Sequence, residues 1–208
     1  MEPPFPENQS LESCLEAVRN QGHALLHVIN QTEEICIEAV RRNAYALRYV
    51  KEQTEKICIK AVKKNGTALL YVDDQTEEIC IEAVKENAES LRHVNVQTEE
   101  ICVAAVRNNG LMLHLAKNKT DRIRLEAVRQ NGLVLEGINN KTEEMCLEAV
   151  KQNGMALMYV KNQTEEICLA ATINNPECVT HIKDPDIRER CESHISRRFL
   201  RTKSAKRC

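Results

Sequence analysis

From Gln9 onward, apolar and polar positions return every 22 residues, in eight copies beginning at Gln9, Gln31, Gln53, Gln75, Gln97, Lys119, Lys141 and Gln163 without insertions. Each copy reads roughly Q-T-E-E-I-C-I-E-A-V-K-x-N-G-x-A-L-x-Y-V-K-N, here numbered as places one to twenty-two. Self-similarity of this length marks a stacked array, in which a copy buries its apolar flank only against its neighbours.

Place two is Ser or Thr in every copy and precedes acidic or polar residues and then an apolar stretch. A hydroxyl there accepts from an unpaired N–H of the first turn, and glutamates in that turn complement the helix dipole. The pattern predicts a helix A over places three to twelve. At about 100° per residue its apolar places five, six, seven, nine and ten span an arc of roughly 200°, wide enough to need neighbours on both sides.

Place thirteen is Asn in seven copies and Gln21 in the first, while place fourteen is Gly, Ala44, Ala88 or Pro176. Proline holds φ near about −65°, so an Asn-Gly hairpin turn with positive φ cannot serve every copy. Asn capping a second helix, with Gly, Ala or Pro at its first position, serves them all, and Gln21 is the weakest cap. This helix B is expected to be α-helical from place fourteen to place twenty or twenty-one, burying Leu at seventeen and Val or Ile at twenty. A leucine-rich repeat has a similar period, but its register would put Arg42, Lys64 or Glu86 at an inward strand position.

The fold class expected is therefore all-α: a right-handed α-solenoid of eight 22-residue helix-turn-helix repeats. Residues 1–8 form a lead, 9–184 the repeats, 185–200 a capping helix and 201–208 a basic tail. Asp184 and Pro185 open the capping helix, in which Ile187, Cys191, Ile195 and Phe199 recur every four residues.

Aromatic residues make up only 3% of the chain, so the core is built from Ile, Leu, Val, Ala and Cys. Seven cysteines, Cys14, Cys36, Cys58, Cys80, Cys102, Cys146 and Cys168, share place six at the centre of the apolar arc. Stacked helices lie about 8–10 Å apart, too far for these residues to form disulfides with one another. No C-x-x-C or regular histidine accompanies them, and they read as small buried hydrophobes. Arg124 stands where the sixth repeat should carry cysteine. Its charge is expected to run outward along the stem or to meet Asp121.

No phosphate-binding, dinucleotide, zinc-protease or nucleophile-elbow motif occurs. The expectation is a non-enzyme with no cofactor, no metal and no small-molecule substrate. No apolar run approaches the roughly 20 residues of a membrane span, and the start "MEPPFPENQS" lacks a signal peptide's basic and apolar regions. A cytoplasmic protein is expected, with the nucleus as the alternative.

Regular places hold an array together, so the irregular exposed ones are free to meet a partner. On helix B these are places fifteen and eighteen. Tyr45, Leu111, Leu133, Met155 and Met158 stand there, predicting a surface for a protein partner or for self-association. The alternative route is the basic tail, with Arg197, Arg198, Arg201, Lys203, Lys206 and Arg207, whose charges suit nucleic acid or an import receptor. Only Phe199 is available to stack on bases there.

The stretch "CLEAVKQNGMALMYVKNQTEEIC", residues 146 to 168, resembles a tandem repeat family of unknown function that occurs in large DNA viruses of amoebae and in some bacteria. The resemblance covers about residues 9 to 184. Ala44, Ala88 and Pro176 depart from the family's glycine, and Arg124 from its cysteine. What the resemblance implies is a viral or microbial origin, a setting in host cytoplasm, nucleus or virion, and a third function class, a virion structural component.

Overall fold

The structure, a computed structural model, describes the backbone of residues 9–205 and side chains through residue 197. It divides into two compact bodies. One is the chain through Asn108 with Leu115–Asn118; the other is Asn109–His114 with the chain from Lys119 onward.

In the first body the A helices are Leu11–Asn20, Glu33–Arg42, Glu55–Lys64, Glu77–Glu86 and Glu99–Asn108, and in the second Asp121–Gln130, Glu143–Gln152 and Glu165–Asn174. Each spans places three to twelve, as the sequence predicts. The place-two hydroxyl accepts from the N–H three residues on, for example Ile57 N onto Thr54 Oγ1 at 3.4 Å. Places five, six, nine and ten are buried, as with Ile57, Cys58, Ala61 and Val62. Place seven is half-buried in most repeats, as at Ile37 and Ile59, so the fully buried arc is narrower than predicted.

Helix B is not α-helical. It is a six-residue 3₁₀ helix, Gly22–His27, Ala44–Tyr49, Gly66–Tyr71 and Ala88–His93 in the first body. The second body holds Gly110–His114, one residue shorter, and Gly132–Gly137, Gly154–Tyr159 and Pro176–His181. The correction has a geometric cause. Three residues per turn stack places fourteen, seventeen and twenty along one edge, whereas α spacing would rotate place twenty away. All three are buried in the first seven repeats, as Ala44, Leu47 and Val50 illustrate, while in the eighth Pro176 is exposed and Val179 half-buried. The turns close at i+3, with Ala46 N on Asn43 O at 2.9 Å and Val50 N on Leu47 O at 3.0 Å. The Asn side chain caps as expected, Tyr45 N donating to Asn43 Oδ1 at 3.0 Å, and Gln21 makes no such bond.

Place fourteen is small because of close approach rather than backbone conformation. A Cβ at Gly22 would lie 2.6 Å from the Ala39 carbonyl of the next A helix, and no residue has positive φ among those described. Within each body an A helix packs on the next A helix and on the B helices beside it, forming an all-α solenoid stack. No strand occurs among the described residues, which sets the leucine-rich reading aside. The terminal helix runs Pro185–Ala205, past the predicted limit at residue 200. Arg201, Lys203 and Ala205 are good helix formers with no Gly or Pro to stop them. It packs on the last A helix through Cys191, which is buried, with Ile187 and Ile195 half-buried.

Candidate functional site

The side chains available to a ligand are those that the array does not use, and two polar networks are prominent among those it does use. The first is made by the place-one glutamine. Gln31 Nε2 donates to Leu25 O of the preceding repeat at 3.1 Å and to Tyr49 O of its own at 2.9 Å, while its Oε1 accepts from Lys51 N at 2.9 Å. Gln53, Gln75, Gln97 and Gln163 repeat the arrangement. A primary carboxamide suits this spot because it offers two donors and an acceptor together. The place-six thiol adds a weak bond to the same oxygen, 3.8 Å for Cys36 and 3.5 Å for Cys58. Burial first, and then nearby carboxylates, push both thiols up to about 11, so they stay protonated donors.

The second network is ionic. The half-buried Glu82 receives Lys85 at 2.8 Å from its own repeat and Lys63 at 3.0 Å from the one before. Hydrogen bonds from these two ammonium groups hold its carboxyl below the usual range. Glu148 is held likewise by Lys151 and Arg129.

The predicted contact residues belong to neither network, although Tyr45 is tied into the stack by other bonds. Leu111, Leu133 and Met158 are 55%, 40% and 48% exposed in the second body, on the outer edge of their B helices, and Met155 beside them is half-buried. Tyr45 is 40% exposed, yet it is engaged in the stack. Its hydroxyl lies 2.8 Å from Thr67 Oγ1 and receives Asn65 Nδ2 at 3.0 Å, and its ring meets Tyr71 edge-on. Of the basic residues, Arg197 is an exposed side chain of the terminal helix. Arg198, Arg201 and Lys203 lie on its backbone with side chains beyond the described set, and Lys206 and Arg207 lie outside the described residues.

Sequence reasoning missed a cleft in the second body. Repeat six breaks the pattern three times: Lys119 replaces the place-one glutamine, Arg124 the place-six cysteine, and Gly137 the Tyr, His or Leu of place nineteen. All three line one cavity of about 350 Å³, walled by the apolar Leu111, Leu133 and Ile138. Arg124 is only 27% exposed and its Nη1 holds Asp121 Oδ1 at 3.0 Å, the partner expected for it. A Cβ at Gly137 would meet nothing within 4 Å, so a missing side chain opens the mouth. The signal was present as three departures in one repeat, but their convergence on one cavity is a property of the fold.

The architecture is that of a tandem helical-repeat protein built on 22-residue helix pairs. The chain belongs to the family described as domain of unknown function (DUF4116), whose profile matches residues 32–76, 54–98 and 121–164, each match running across two repeats. No curated protein and no solved structure matches it. Among the described residues no helix is long and apolar enough to cross a membrane.

Proposed function

We propose that this protein is a non-catalytic interaction scaffold that holds a protein partner on the outer edge of the B helices in its second body. The observation that carries the reading is the exposure of Leu111, Leu133 and Met158 in three successive repeats. Scattered exposed apolar residues are ordinary, as with Val96 and Ile29 here, whereas a run along one edge favours association. These three side chains belong to neither polar network, so their identity is free to follow a partner's shape rather than the stack's.

The test is the triple variant Leu111→Ser/Leu133→Ser/Met158→Ser. Exposed substitutions shift stability within about 0.5 kcal/mol each, so its melting temperature should stay within a few degrees of the parent's. Affinity purification of the full chain with quantitative mass spectrometry should recover one discrete protein that the variant loses. A variant that melts far earlier yet retains the same partner would show that these residues serve folding, not binding.

A further inference from the structure

We infer that the repeat-six cleft receives the side-chain carboxamide of a glutamine carried by an extended partner polypeptide. The inference rests on the protein-binding reading and gives it a chemistry. The groups that a place-one glutamine satisfies in five other repeats are, in repeat six, the carbonyls of Leu113 and Gly137 and the N–H of Asn139. All three residues line the cavity. Lys119 cannot replace the amide, because an ammonium donates three hydrogens and accepts none, leaving the Asn139 N–H beyond its chemistry. Among the described residues no side chain bonds to those three backbone groups.

The molecule itself shows what fits such a spot. Five glutamines place an amide nitrogen between a carbonyl of the preceding repeat and one of their own, with the amide oxygen on an N–H two residues farther along, as in Gln75 with Leu69 O, His93 O and Asn95 N at 3.3, 3.0 and 3.0 Å. A carboxylate would meet the N–H but face two carbonyl oxygens with no hydrogen to give. Arg124 is already neutralised by Asp121, and Glu136 stands at the same cavity, so its fixed charge does not single out an anion. The exposed Leu111 and Leu133 offer an apolar rim for the residue beside the incoming glutamine. Repeat seven carries Lys141 at place one as well, but it keeps Cys146 at place six and Tyr159 at place nineteen, where repeat six has the open Gly137.

The test uses the ¹⁵N-labelled full chain titrated with acetyl-Leu-Gln-Leu-methylamide and with analogues carrying Glu or Met in place of Gln. The amide signals of Gly137 and Asn139 should shift saturably with the glutamine peptide, and the two analogues should bind at least about tenfold more weakly, since they cannot offer both donor and acceptor. Lys119→Gln gives repeat six its own amide, and it should raise the melting temperature and weaken the peptide at least tenfold. Gly137→Tyr, which restores the place-nineteen ring, should do the second without requiring the first. Equal or tighter binding of the glutamate peptide, unchanged affinity in Lys119→Gln, or no saturable shift would overturn the proposal. Acetyl-glutamine methylamide binding as tightly as the tripeptide would overturn the polypeptide as its source. If the peptide fails while the serine variant above still loses its partner, only the cleft's ligand is wrong and the scaffold reading stands.

Discussion

Asn87 and Gln21 hold the same place in their repeats but not the same bond. Asn87 Oδ1 accepts from Glu89 N at 3.0 Å, while the longer Gln21 side chain makes no cap. Asn87→Ala should therefore cost about 1 kcal/mol in urea unfolding, and Gln21→Ala close to nothing. The place-one amide carries more. Gln75→Leu leaves two carbonyls and an N–H without their side-chain partner, in a part-buried setting, for a loss of roughly 2 kcal/mol by the same measurement. If Gln75→Leu proved neutral, water would be serving those groups as well as the amide does. The caps could be read from the sequence because Asn before a small residue carries its own local signal. The glutamine could not, since its targets are backbone carbonyls that come together only when one repeat stacks on the next.

At the scale of the element, helix A was legible to the residue and helix B only in position. Apolar spacing at places five, six, nine and ten fits an α-helix and nothing else, and ten residues give it room to show. Six residues do not separate the two helix types by periodicity. The deciding feature is that places fourteen, seventeen and twenty are all small or apolar, a spacing of three that points to a 3₁₀ turn. Places fifteen and eighteen share an edge about 120° from the buried one in the 3₁₀ geometry, and their side chains are mostly exposed. Tyr45 shows the limit of that logic: a ring at an outer place can reach sideways to Thr67 and Tyr71 and become part of the stack.

For the molecule as a whole, the repeated thiols set a pH limit. Burial raises Cys36, Cys58, Cys80, Cys168 and Cys178 from 9.0 to about 11. A thiol that holds its proton more tightly when folded stabilises the fold fully below the unfolded value and loses that contribution as pH climbs toward the folded one. Melting temperature should thus fall between pH 9 and 11, and fall less in Cys36→Ala/Cys58→Ala/Cys80→Ala. Equal slopes would assign the alkaline limit to other groups. The bridging glutamines impose a direction as well. Gln31 reaches back to Leu25, Gln53 to Leu47 and Gln75 to Leu69, so a repeat that carries the glutamine closes the one made before it. A chain emerging from the ribosome would therefore trail an unfinished joint wherever the next glutamine has yet to appear, and a cut between two such repeats would orphan a carbonyl if the later repeat is lost and an amide hydrogen if the earlier one is.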